Sequence, residues 1–369
     1  MKKIKVLQMP IANSQGGLTQ YVLQNWKFID KEKFQFDFVT LSKTLDFADE
    51  LIADGCKIHY LSCSSMQNEV QFITEIKKIL DEDYDVIHLH TSYWNGILVE
   101  KLAKEYGCPK IIVHAHSTMV DIADNTLREK AINEHIKYKI SFPLEYATHY
   151  VACSKMAADW LFGEHIPRER VQILNNAIDT KRFAYSKEIR ESYRKQLNIQ
   201  NCYVIGHVGR FSYSKNHKMI LEIFRGICKV KSNARLMLVG DGPLKADVQN
   251  KAEEYGIADK ILFLGRREDT AQLMQAMDIF ILPSRFEGLG LVLIEAQTAG
   301  LKCLANNCLP LESNITSNIT YLPDSIDSWI DEIIKYSKGY DRFVNKELIE
   351  KAGFSLEQQI KTIEQLYKN

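Results

Sequence analysis

PSRFEGLGLVLIEAQTAG, residues 283–300, decides how the rest of the chain is read. Ahead of it stands Asp278-Ile-Phe-Ile-Leu282, a short branched apolar run closed by Pro283, which reads as a buried strand. Phe286-Glu-Gly-Leu-Gly290 is too rich in glycine for a helix interior and reads as a loop. Leu291 to Ala299 suits a helix of roughly 2.5 turns, with Gly300 in the C′ position.

A helix start preceded by glycines aims backbone N–H groups outward at the positive end of the helix dipole, which suits phosphate oxygens. Gly288, Leu289, Gly290 and Leu291 supply these amides, and the two glycines allow close approach. Glu287 and Glu295 flank them. Phosphates repel carboxylates, so each glutamate reads as an acceptor for sugar hydroxyls: Glu295 for a ribose diol, Glu287 for a second sugar, with a diphosphate between them. The plain alternative is a solvated loop residue and a helix-surface residue.

A length of 369 residues exceeds one typical core and implies two domains of about 180 residues each. Lys plus Arg and Asp plus Glu both number 47, so no global field recruits nucleic acid or a membrane. The eight cysteines are scattered without CxxC pairs, which fits a reducing cytosol. No apolar stretch reaches the ~18 residues of a spanning helix, and MKKIKVLQMP lacks the apolar region of a signal peptide. A cytoplasmic protein is expected.

In the first half, Ile4 to Met9, Phe34 to Thr40, Lys57 to Ser62, Asp85 to Thr91, Lys110 to Ser117 and His149 to Ser154 read as strands. Helical segments such as Leu18 to Phe28, Val70 to Leu80 and Ile97 to Tyr106 separate them, so a parallel, Rossmann-like sheet covered on both faces is expected. Ligands of such sheets sit outside the carboxyl ends of the strands. Gly16-Gly17 follows the first strand and His114-Ala-His116 closes the fifth, while His88, His90 and His114 read as core histidines. No His or Asp spacing matches a metal site, and Asp83-Tyr-Asp85 precedes a strand, on the wrong edge. Arg128 to Phe142 is helical in period and basic through Lys130, Lys137 and Lys139, suited equally to a solvated face or to anionic lipid.

In the second half, Tyr203 to Gly209, Arg235 to Gly240, Lys260 to Gly265, Asp278 to Leu282 and Lys302 to Ala305 read as strands, each followed by a helix, giving a second doubly wound sheet. Arg210 and Lys215 follow the first of these strands, where a guanidinium fork and a point charge suit diphosphate oxygens.

The Glu287-x7-Glu295 spacing, Gly209-Arg210 with Lys215, and Asn175-Asn-Ala-Ile-Asp179 together resemble the retaining glycosyltransferases of family 4. Ala177 stands where those proteins usually have glycine, and Lys302 where they usually have proline. The resemblance implies an α/β, GT-B fold of two Rossmann-like domains facing across a cleft: 1–180 for the acceptor, with helix 354–369 packing back on it, and 181–353 for the nucleotide sugar. By the same resemblance, His116 contacts the transferred sugar and Gly16-Gly17 lies over the donor phosphates or acceptor. Arg210 and Lys215 neutralise the diphosphate, and Arg266 neighbours the base. No metal or other cofactor is implied. The variants Ser-Lys-Asn-His and Glu-Ala-Gln resemble the bacterial exopolysaccharide and capsule branch, which implies transfer of a hexose from a UDP-sugar to a lipid-linked saccharide, with the protein peripheral at the inner face of the membrane. Two readings stay open beside it: a nucleotide-sugar epimerase or phosphorylase on the same fold, and a non-catalytic partner subunit.

Overall fold

The computed structural model describes residues 2–13, 16–342 and 346–368. Runs of branched and aromatic residues form the strands β1 (Ile4–Ile11), β2 (Phe34–Thr40), β3 (Ile58–Tyr60), β4 (Val86–Thr91), β5 (Lys110–Ala115), β6 (His149–Ala152) and β7 (Val171–Ile173). They pair in the order β3-β2-β1-β4-β5-β6-β7, all parallel. A second parallel sheet holds β8 (Tyr203–Val208), β9 (Ala234–Val239), β10 (Ile261–Gly265), β11 (Ile279–Leu282), β12 (Lys302–Asn306) and β13 (Ile319–Leu322) in the order β10-β9-β8-β11-β12-β13. Both are doubly wound sheets, because each parallel step needs a crossover and α-helices supply all but the one from β12 to β13.

Two departures from the sequence reading concern edges. β7 and β13 are short strands that the pattern of apolar runs did not mark. β12 is followed not by an α-helix but by the single 3-10 turn Leu311–Ser313, after which β13 returns beside it.

Contacts divide the chain into two units. The first holds 1–120, 126–176 and 357–369; the second holds 121–125 and 177–356. Asp121–Asn125, which lies within the first half of the sequence, thus belongs to the second unit. Within the first unit, Val6, Phe36, Phe38, Val86 and Ile112 form a core with Ile363, Leu366 and Tyr367 of the final helix Leu356–Lys368. In the second, Ile205, Leu236, Ile279 and Leu304 of the sheet pack with Phe224 and Trp329 of the covering helices.

Ile363 is fully buried, so Ile363→Ala is expected to cost about 2–5 kcal/mol through lost transfer energy and a residual cavity. Urea unfolding of the variant against the native chain measures it, and an unchanged midpoint would exclude this helix from the core.

Candidate functional site

In the second sheet the chain works outward from β8 in one direction through β9 and β10, then returns to lay β11 on the other side of β8. The crevice of a doubly wound sheet opens at such a reversal, outside the carboxyl ends of the strands. Two loops leave that edge: Gly209–Asn216 after β8, and Pro283–Gly290 after β11. They are tied together. Arg285 N–H donates to the Ser214 carbonyl at 2.7 Å, and Asn216 Nδ2 donates to the Pro283 carbonyl at 3.2 Å. Between them, Lys215 Nζ meets Glu287 Oε1 at 2.6 Å, with side chains only 16% and 12% exposed.

A third loop braces this pair from behind. After β9, Gly240 and Gly242 lie against the first loop so closely that a Cβ on Gly240 would come within 2.1 Å of the Gly209 carbonyl oxygen. One on Gly242 would come within 2.6 Å of the Phe211 carbonyl oxygen. Phe211 N–H donates to the Asp241 carbonyl at 2.9 Å, and the Phe211 ring stacks on His217 at 4.1 Å. Asp121 caps the arrangement by accepting from Ser214 N at 2.9 Å and from Ser214 Oγ at 3.2 Å. Sequence reasoning did not single out Asp121, because it follows a strand of the other sheet.

The helix Leu291–Thr298 starts from Gly290, whose φ of 81° is left-handed and which has no side chain of its own to cap the helix. Its Gly300 stop, at φ 70°, follows the expected C′ geometry. One turn in, Glu295 is partly buried. Burial pushes its carboxyl up to about 7, against the pull of Arg182 and Lys215. Arg182 stands in the short helix Thr180–Phe183, whose start is fixed by Asp179 accepting from the Lys181 and Arg182 amides. It is a charged neighbour of Glu295 that the sequence reading passed over, although it directly follows the Asn175–Asp179 segment. Arg210, after β8, and Arg266, after β10, are exposed on the same sheet edge.

Gly16, Gly17 and His116 belong to the first unit. Gly16 precedes the helix Gly17–Phe28 with an ordinary φ of −62°, and a Cβ on either glycine would meet nothing within 4 Å among the described residues. Among the described residues, neither backbone nor packing there requires glycine. His116 follows β5, donates its N–H to the Thr91 carbonyl at 3.0 Å, and places Nε2 2.9 Å from His90 Nδ1. Burial pushes its imidazole down to about 3, so the ring is neutral.

Sequence spacing hid one cluster. Because His90 pairs with His114 across β4 and β5, alternation along both strands gathers His88, His90 and His114, with ring nitrogens within 4.8 Å of one another. Their geometry is that of hydrogen-bonded imidazoles: His88 Nε2 lies 3.2 Å from His114 Nδ1, with the rings parallel to 11°. A second group, Asp37, His59 and Glu82, is likewise engaged. Tyr84 OH donates to Asp37 Oδ2 at 3.0 Å and lies 3.0 Å from His59 Nε2, while Lys57 Nζ holds Glu82 at 2.5 Å.

Two all-parallel doubly wound sheets in one chain are the architecture of GT-B glycosyltransferases, and solved structures match it over nearly the full length. Sucrose-phosphate synthase from Thermosynechococcus elongatus superposes with a TM-score of 0.81 at 18% identity, covering 100% of this chain and 98% of that one. HepE of Anabaena, in complex with UDP and glucose, gives 0.76 at 16% identity over 98% of each. The chain belongs to the family 4 glycosyltransferases: residues 15–182 match the model Glycosyltransferase Family 4, and residues 189–352 match Glycosyl transferases group 1. EpsF of Bacillus subtilis is 27% identical over 98% of this chain and 96% of its own. The Escherichia coli UDP-Gal:alpha-D-GlcNAc-diphosphoundecaprenol alpha-1,3-galactosyltransferase is 25% identical over 99% of this chain and 97% of its own.

Arg182→Ala removes a cation that favours the ionised form of Glu295, so its titration midpoint, about 7 in the native chain, is expected to rise. Carboxyl 13C shifts followed from pH 5 to 9 measure this. A midpoint that stays in place or falls would remove Arg182 from the site.

Proposed function

We propose that the protein transfers a hexose from a UDP-sugar to a lipid-linked saccharide during exopolysaccharide or capsule assembly, with retention of anomeric configuration and without a metal ion. The observation that carries the reading is the Lys215–Glu287 pair, held between two loops at the reversal of the second sheet, beside the helix start at Gly290. Its support from relatives is the galactosyltransferase named above, whose acceptor is a diphosphoundecaprenol-linked sugar, and HepE, which binds UDP.

On this reading the leaving diphosphate is met by the amides of Gly288 to Leu291, the Arg210 guanidinium and Lys215. Developing charge is then stabilised by dipoles and cations already in place. Lys215 has three donors. Glu287 engages one and fixes the stem over Gly209, leaving the ammonium able to bridge to phosphate. Glu287 also accepts from hydroxyls of the transferred sugar, Glu295 from the ribose diol, and Arg266 neighbours the base. In the first unit, His116 contacts the transferred sugar. Gly16-Gly17 serves donor phosphate or acceptor, a role that suits two glycines around which the described residues leave open space. Retention follows if the acceptor hydroxyl attacks on the face from which the diphosphate departs and passes its proton to the leaving phosphate oxygen.

The acceptor's lipid implies contact with a membrane surface. No helix among the described residues is long and apolar enough to cross a membrane. The helix Asn125–Ser141 exposes Leu127, Ile136 and Ile140 beside Lys130 and Lys137, a composition suited to the interface with anionic lipid. Lys139 is not part of that face, since its Nζ donates to the Asp159 carbonyl at 2.7 Å.

Incubation with a panel of nucleotide sugars, read by release of nucleoside diphosphate, tests the reaction. Lys215→Ala and Glu287→Ala are each expected to lower kcat/KM by about 10²–10³-fold, and EDTA to leave turnover unchanged. Full activity in either variant, or a requirement for manganese, would sink the mechanism. For the membrane, flotation with vesicles containing anionic lipid is expected, and Ile136→Glu with Ile140→Glu should abolish it. Native protein that stays at the bottom of the gradient at every lipid composition counts against docking.

A further inference from the structure

The buried histidines of the first unit share one face of the sheet with Gln8. Gln8 on β1 lies opposite His88, and His90 lies opposite His114. Side chains two apart project from the same face, so Gln8, His88, His90, His114 and His116 form one layer. Gln8 is 1% exposed and His88 and His114 are fully buried. Burial holds His88 and His116 down at about 3 and the other two well below their usual value, so all four rings are neutral at working pH. A neutral imidazole carries one proton, and its partners decide which nitrogen holds it.

Both chains of contacts begin at one amide. His90 Nε2 stands 2.8 Å from Gln8 Oε1, which only accepts, so His90 carries its proton on Nε2. Its Nδ1 is then an acceptor, and His116 Nε2, 2.9 Å away, must be the donor. His116 Nδ1 is left without a proton. On the other branch, Gln8 Nε2 donates to Tyr367 OH at 2.9 Å, and the hydroxyl passes its own hydrogen to His88 Nδ1 at 2.7 Å. His88 Nε2 then donates to His114 Nδ1 at 3.2 Å, leaving the His114 proton on Nε2. Turning the Gln8 amide over would reverse every bond in both branches. One amide thus sets four tautomers together, all Nε2–H as it stands and all Nδ1–H if turned.

The two ends of this layer are unmet: among the described residues, His114 Nε2 and His116 Nδ1 are buried with no hydrogen-bond partner. A buried polar atom without a partner costs free energy that a ligand hydroxyl would recover. We propose that Gln8 is a positioning residue for His116, locking its Nδ1 as a proton-free acceptor for a hydroxyl of the bound sugar. The inference rests on the reading of His116 as a sugar contact.

The test is the imidazole 15N spectrum of the full-length chain labelled at histidine, in which protonated and bare nitrogens are distinct. For His88, His90, His114 and His116 the native protein is expected to show Nε2–H alone. Mixed tautomers among the four, or Nδ1–H at His116, would overturn the lock. Gln8→Leu should give both tautomers at His116 and a roughly tenfold fall in kcat/KM, the worth of one hydrogen bond to a buried partner. An unaltered His116 spectrum in folded Gln8→Leu would also overturn it. Tyr367→Phe covers the case in which Gln8→Leu does not fold: it should free His88 and His114 while His116 stays Nε2–H, and loss of the His116 tautomer there refutes the assignment. His116→Ala with full activity would refute the sugar contact itself, a failure separate from the spectra.

Discussion

Parallel strand pairing is the constraint from which the candidate site follows. When every strand of a sheet runs the same way, every loop that leaves a carboxyl end arrives at the same edge. Residues 210, 215, 266, 287 and 295 are scattered over more than eighty positions of sequence, yet β8, β10 and β11 deliver their loops to one side. The reversal between β8 and β11 then leaves two of those loops without a crossover helix between them, which is why Lys215 and Glu287 can touch.

That contact is an ion pair with little exposed surface, an arrangement whose desolvation cost offsets much of its attraction. On the proposed reading, its place in the molecule serves binding more than stability. The loops around it are already joined by backbone bonds from Arg285 and Phe211, and the close approach of Gly240 to Gly209 leaves them little freedom. On the proposed reading, charge is held where a diphosphate would need it before the ligand arrives, so that binding would require little ordering. Glu295 adds a second layer. A carboxyl poised near neutrality beside Arg182 and Lys215 responds strongly to any further charge brought to that edge.

Much of this was legible in the sequence because the signals are local. Strand β2 and the helix after Gly290 fall almost where the apolar runs and glycine stops put them. β7 and β13 were not legible, being three- and four-residue edge strands with few buried positions to make a pattern. The family resemblance named His116, but nothing in the linear chain joins it to Gln8, a hundred residues away and two strands over. The histidine layer is a product of register, which exists only once β1, β4 and β5 are paired. Asp121 was missed for the opposite reason: its position in sequence sets it among the strands of the first half, whereas it belongs to the second unit and its carboxylate serves a loop there.

The final helix has a consequence for how the protein is made. Ile363, Leu366 and Tyr367 complete the core that Val6, Phe36 and Val86 begin, so the earliest strands to leave the ribosome wait for the last helix before their apolar face is covered. The second unit, which lies between these segments, can collapse first. A nascent chain stalled before residue 356 would carry an open hydrophobic face, and the cell's chaperones would meet that face on every round of synthesis.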